Sequence, residues 1–162
     1  MTQSIYIVGS KGIPAKYGGF ETFVEKLTEF QQDKNIQYYV ACMRENSAKS
    51  GITADTFEHN GAICYNIDVP NIGPARAIAY DIAALNKAIE IAKENKDQAP
   101  IFYVLACRIG PFISKIKRKS RRSVGPSWSI QMVMNGFARN GVSQSVSTGS
   151  FLNNSWLNMP TC

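Results

Sequence analysis

A short segment near the N-terminus constrains this chain more than any other. Ser4–Val8 is an apolar, strand-forming run that passes straight into a glycine-rich loop, Gly9-Ser10-Lys11-Gly12-Ile13-Pro14-Ala15-Lys16-Tyr17-Gly18-Gly19. A helix follows, with Phe20, Phe23, Val24, Leu27 and Phe30 at helical spacing and Glu21, Glu25, Lys26 and Glu29 off that stripe. The acidic residues of its first turn suit the positive end of a helix dipole. A strand that turns through glycines into a helix N-terminus presents backbone N–H groups outward, and the glycines permit positive φ and close approach of a ligand. The loop matches neither the dinucleotide fingerprint nor a P-loop, so on its own it reads equally well as a structural tight turn or as a phosphate site.

The next hundred residues repeat the alternation. Gln37–Cys42 is rich in β-formers, and Thr56–His59 and Ala62–Ile67 flank Asn60-Gly61, a strong hairpin signal. Arg76–Asn95 is an alanine-rich helix with Ile78, Ile82, Leu85 and Ile89 on one face. Ile101–Cys107 is a continuous apolar run between Pro100 and Gly110-Pro111, as a strand buried on both faces requires. Strands separated by helices predict an α/β fold built on a Rossmann-like parallel sheet. With 162 residues, 44% hydrophobic and 19% charged, the chain has the makings of one globular domain and not of a disordered polymer.

Other features narrow the function. No run approaches the length of a membrane helix, and the N-terminus lacks the basic start of a signal peptide, so a cytoplasmic protein is expected. Four scattered cysteines and the single His59 argue against a metal site, and no cofactor is expected. The formal charge of +6 resides in Lys115, Lys117, Arg118, Lys119, Arg121 and Arg122, which leaves the remainder neutral. That run can attract anionic lipid, but no aromatic interleaving or recognition motif accompanies it, so no nucleic-acid partner is expected. From Ser120 to Cys162 there is no Asp or Glu and no helical or strand period, so a disordered tail and no domain is expected there.

The string Gly9–Thr22, together with Leu105-Ala106-Cys107-Arg108-Ile109-Gly110-Pro111-Phe112, resembles the bacterial rhamnosyltransferases that build capsule and cell-wall polysaccharide, of the streptococcal β-1,4 type. The resemblance runs from Met1 to about Lys119. It implies the partial N-terminal domain (residues 1–119) of a retaining GT-B glycosyltransferase, whose two Rossmann-like domains face each other across a cleft. The implied reaction is rhamnosyl transfer from dTDP-rhamnose to a lipid-linked saccharide at the inner face of the membrane. Gly9, Gly12, Tyr17, Gly18, Gly19, Glu21 and Thr22 would lie at the donor diphosphate. Arg108, after a buried strand, reads either as a cleft residue or as a surface one. Core packing is the reading for Phe20 and Phe23.

Members of that group are more than twice this long, and the likeness stops abruptly. With a TCN codon for Ser129, reading the codons possible for Trp128–Gly136 from one step over forces Val, Gly and Glu, and permits Val-Asn-Pro-Asp-Gly-His-Glu-Trp, which resembles the group's own continuation. A frameshift near Lys119 is therefore expected, with residues 120–162 out of frame. It would leave a transferase fragment without its second domain, with no catalytic residue in place and without activity. A short protein with a low-complexity tail, a stand-alone nucleotide- or diphosphate-binding module, and a basic membrane-surface adaptor are the alternatives.

Overall fold

The computed structural model describes residues 2–105, 118, 129–132 and 145–146. Seven strands form one sheet: β1 (Gln3–Val8), β2 (Ile36–Met43), β3 (Thr56–His59), β4 (Ala62–Ile67), β5 (Ile101–Val104), β6 (Ser129–Met132) and β7 (Ser145–Val146), in spatial order β3-β4-β2-β1-β5-β6-β7. The helices include α1 (Gly19–Glu29), α2 (Arg44–Ala48) and α3 (Arg76–Glu94), the last entered through a 3-10 turn at Gly73–Ala75. The chain belongs to the α/β class, as the alternation of strand and helix signals requires.

Period-2 alternation explains why the inner strands read as unbroken apolar runs. Tyr6 and Val8 of β1, Ala41 of β2, Tyr65 and Ile67 of β4, and Phe102 and Val104 of β5 bury against Tyr80, Ala84, Leu85, Ala88, Ile89 and Ala92 of α3. Their neighbours Ile7, Tyr38, Val40, Cys42, Ala62 and Cys64 face the opposite way and pack with Val24 of α1 and Ile13 of the glycine loop. Both faces are covered, so both sets must be apolar. The alanines of α3 leave room for the large rings of the strands: Tyr6 stacks on Tyr39 at 4.6 Å and on Phe102 at 5.3 Å between ring centres.

Three features refine the expected α/β fold. The sheet is parallel at its centre and antiparallel at its edges. β1, β2, β4, β5 and β6 run parallel, whereas β3 pairs antiparallel with β4, and β7 with β6. The hairpin forces the first exception, because Asn60 (φ 50°) and Gly61 (φ 72°) make a tight turn that can only reverse the chain. Second, the region beyond Lys119 contributes to the fold. Ser129–Met132 extends the sheet beside β5, in register Ile101↔Ser129 to Val104↔Met132, and Ile130 is only 1% exposed within the α3-side core. Four residues are too few for a periodicity to register. The remaining residues of 120–162 lie outside the described residues, as do Lys115, Lys117, Lys119, Arg121 and Arg122; Arg118 is exposed. Third, the buried face of α1 is not the aromatic stripe: Phe23 is 43% and Phe30 68% exposed, while Glu21, Val24 and Thr28 are buried. Phe20 and Leu27 pack partly against the core, so core packing holds for Phe20 and not for Phe23.

Candidate functional site

Sheet order places the glycine loop where an open α/β sheet ordinarily takes a ligand. The chain leaves β1 to build β2, β4 and β3 on one side, and α3 then carries it back to β5 on the other. Crossovers thus diverge at the carboxyl ends of β1 and β5, which opens a crevice there. The glycine loop leaves β1 at this point, and Leu105, whose N–H donates to the Val8 carbonyl at 2.8 Å, leaves β5 beside it. Arg108 lies outside the described residues.

Two carboxylates hold the loop onto α1. Glu21 accepts a hydrogen bond from the Lys11 N–H at 2.7 Å, and Glu25, one turn later, accepts one from the Ala15 N–H at 2.9 Å. Both pairs span ten residues, so one helix face clamps two turns of loop. On the other side the Lys11 carbonyl accepts from the Met43 N–H at 3.0 Å, and the Tyr80 hydroxyl lies 2.8 Å from the Ser10 carbonyl and 3.0 Å from that of Ala41. Burial keeps the Tyr80 hydroxyl protonated and therefore a donor. Ser10 Oγ is enclosed without a hydrogen-bond partner among the described residues, an unmet polar group at the head of the crevice.

Glu25 also reaches across to the hairpin. His59 Nε2 lies 2.7 Å from its Oε1, and Asn60 Nδ2 donates to the same oxygen at 3.2 Å. Burial works against ionisation of Glu25, but its bonds to His59, the Ala15 N–H and Asn60 outweigh that and hold its carboxyl below the usual range. Helix, loop and hairpin therefore meet at one ionised carboxylate.

The seven loop and helix residues implicated by resemblance fall into two sets. Gly9, Gly12 and Glu21 face inward. Gly9 and Gly12 both have φ 103°, and a Cβ at Gly12 would collide with Cys42. Tyr17, Gly18, Gly19 and Thr22 lie on the outer side, with Tyr17 89% exposed. Gly18 (φ 123°) is the N-cap of α1, and a Cβ there would collide with the Glu21 carboxylate. Thr22 closes the first turn, its N–H and hydroxyl both donating to the Gly18 carbonyl, at 3.0 and 2.9 Å. Gly19 differs: nothing lies within 4 Å of where its Cβ would be. Lys11 and Ala15 spend their N–H groups on glutamates, whereas the first N–H groups of α1, beside Gly18 and Gly19, have no acceptor within the helix.

Sequence reading missed the clamp because Glu21 and Glu25 fall off the apolar stripe and look like solvent-facing charges. Their i, i+4 spacing after a loop full of unpaired N–H groups was the available signal. The chemistry within reach is binding and electrostatic. Cys42 and Cys64 are buried, and the Cys64 thiol is pushed up by its hydrogen bond with Cys42 and by burial, so it is no nucleophile. Among the described residues no group of His, Cys, Asp and Glu is arranged to hold a metal ion, and no helix is long and apolar enough to cross a membrane.

Comparison with curated proteins and with solved structures finds no match. A family model does match, over residues 2–147, which includes β6 and β7 and runs past Lys119. The chain belongs to the family described as Domain of unknown function (DUF1972).

Proposed function

We propose that this domain is the N-terminal half of a nucleotide-sugar-dependent glycosyltransferase, a rhamnosyltransferase that uses dTDP-rhamnose and a lipid-linked saccharide in capsule or cell-wall polysaccharide synthesis at the inner face of the membrane. One observation carries the reading: a glycine loop pinned at the switch point, with an open glycine, Gly19, as the first residue of α1. The family's occurrence in glycosyltransferase-associated proteins supports it, as does the likeness of Gly9–Thr22. In such a transfer the bond from the anomeric carbon to the diphosphate breaks, and a bond to an acceptor hydroxyl forms as that hydroxyl gives up its proton. Positive charge grows on the sugar and negative charge on the leaving diphosphate. Fixed N–H donors at a helix N-terminus stabilise that leaving group without reorganising.

In this reading the glycine loop binds the donor diphosphate, and turnover also requires the nucleotide pocket and carboxylates of a second domain. The test is titration of dTDP into the full chain, with Gly19→Ala as the decisive variant. An alanine at the first position of α1 meets no protein atom, so the fold should be untouched. Its methyl would, however, stand where the diphosphate approaches. Saturable binding that weakens at least about tenfold in the variant supports the proposal. Equal affinity in both proteins, or measurable rhamnosyl transfer by the chain alone, would overturn it.

A further inference from the structure

A second cavity opens on the same edge of the sheet, on the other side of Lys11. It holds about 330 Å³ and is lined by Lys11, Met43, Glu45, Asn46 and Lys49 on one side and by Gly73, Pro74, Arg76 and Ala77 on the other. That size is near the lower end for ligand cavities, roughly 300–1,000 Å³. Three cationic side chains converge on it against a single carboxylate. Glu45 takes Arg76 Nη2 at 2.6 Å and Lys49 Nζ at 3.2 Å, while Lys11 has no ion-pair partner among the described residues. Two positive charges therefore go uncompensated.

The site is built from several directions. The Lys11 backbone is fixed, its N–H held by Glu21 and its carbonyl by Met43. Arg76 is fixed as the first residue of α3, and its Nε is enclosed without an acceptor, so Glu45 satisfies this guanidinium only in part. The 3-10 turn Gly73–Ala75 runs straight into α3, the Arg76 N–H donating to the Gly73 carbonyl, so the backbone on this side of the cavity is fixed as well. Met43, Pro74 and Ala77 supply an apolar wall. Excess charge of +2, a planar guanidinium and two ammonium groups together match a phosphate dianion better than a carboxylate monoanion.

We propose that this cavity is a phosphate-binding site, distinct from the glycine loop, that takes the phosphate group of a soluble phosphorylated compound or of a lipid headgroup. It stands whether or not the glycine loop binds a diphosphate, since it shares with that loop only Lys11. Glu45 then acts as an internal competitor that holds Arg76 and Lys49 in place until phosphate arrives.

Titrating inorganic phosphate into the full chain at low ionic strength, followed by calorimetry, is the first arm of the test. Saturable binding is expected. Lys49→Ala and Arg76→Ala should each weaken it by about tenfold, as loss of one charge-assisted contact implies. Glu45→Gln should tighten it severalfold, and Lys87→Ala, on the far half of α3, should leave it unchanged. Glu45→Gln keeps the proposal falsifiable if Arg76→Ala fails to fold, because a merely structural Glu45 would not raise phosphate affinity when neutralised. The second arm uses vesicles containing phosphatidic acid. Recruitment that free phosphate competes away and Lys49→Ala weakens assigns a lipid source, and phosphate binding without recruitment assigns a soluble one. Absence of saturable binding to either probe overturns the site. So do phosphate binding or recruitment that Lys49→Ala leaves intact, and a Glu45→Gln protein that binds phosphate no more tightly.

Discussion

Gly18→Ala and Glu21→Ala form a pair whose combined effect follows from the geometry of the α1 cap. Gly18 sits at φ 123°, ψ 145°, a conformation that holds a side-chain residue only at a cost of about 1–3 kcal/mol. A Cβ there would also collide with the Glu21 carboxylate, which must swing away and release the Lys11 N–H. A hydrogen bond to a charged group contributes about 1.5–3 kcal/mol. Taking about 2 kcal/mol for each effect, Gly18→Ala should lose about 4 kcal/mol and Glu21→Ala about 2 kcal/mol. The double variant has no carboxylate left to displace, so it should also lose about 4 kcal/mol, a coupling of about 2 kcal/mol between the sites. Urea denaturation followed by far-UV circular dichroism measures all three. Strict additivity, with the double variant losing about 6 kcal/mol, would show that Gly18 and Glu21 act separately and would refute the clamp.

Three further outcomes follow from the same contacts. Ile130→Ala should destabilise the chain by about 2–5 kcal/mol, as core truncations do, and a loss below about 0.5 kcal/mol would mean that β6 is not part of the folded sheet. Glu25 has a lowered carboxyl pKa in the fold, so its contribution is fully present above the ordinary glutamate value of about 4.3 and is lost as pH falls through the lowered one. Glu25→Gln should accordingly flatten the acid limb of a melting-temperature profile taken from pH 7 to 3, and a limb as steep as the wild type's would contradict the assignment. Tyr80→Phe removes the hydroxyl shared between the Ser10 and Ala41 carbonyls and should lose about 1–2 kcal/mol, read by the same urea denaturation; a neutral change would show that the hydroxyl does not anchor the loop.

The sequence by itself determined which segments are strands and helices wherever a period is long or a turn is chemically specific. β3 and β4 begin and end where the residues around Asn60-Gly61 say they should, and α3 follows its apolar spacing to within a residue of the expected end. These signals are local: backbone preference and side-chain alternation act between near neighbours in the chain. α2 and β6 are too short to show a period, so neither could be read without the neighbour it packs on. The face of α1 was settled by long-range pairing. Once the loop folds back, its Lys11 and Ala15 N–H groups need acceptors more than Phe23 needs burial, and the helix turns Glu21 and Glu25 inward to supply them. The cationic cavity has the same origin, since Lys11, Lys49 and Arg76 are far apart in sequence and meet only because β1 and β2 end, and α3 begins, at one edge of the sheet. Local patterning fixes the elements; only their assembly decides which buried polar groups must be satisfied and which charges are left facing an opening.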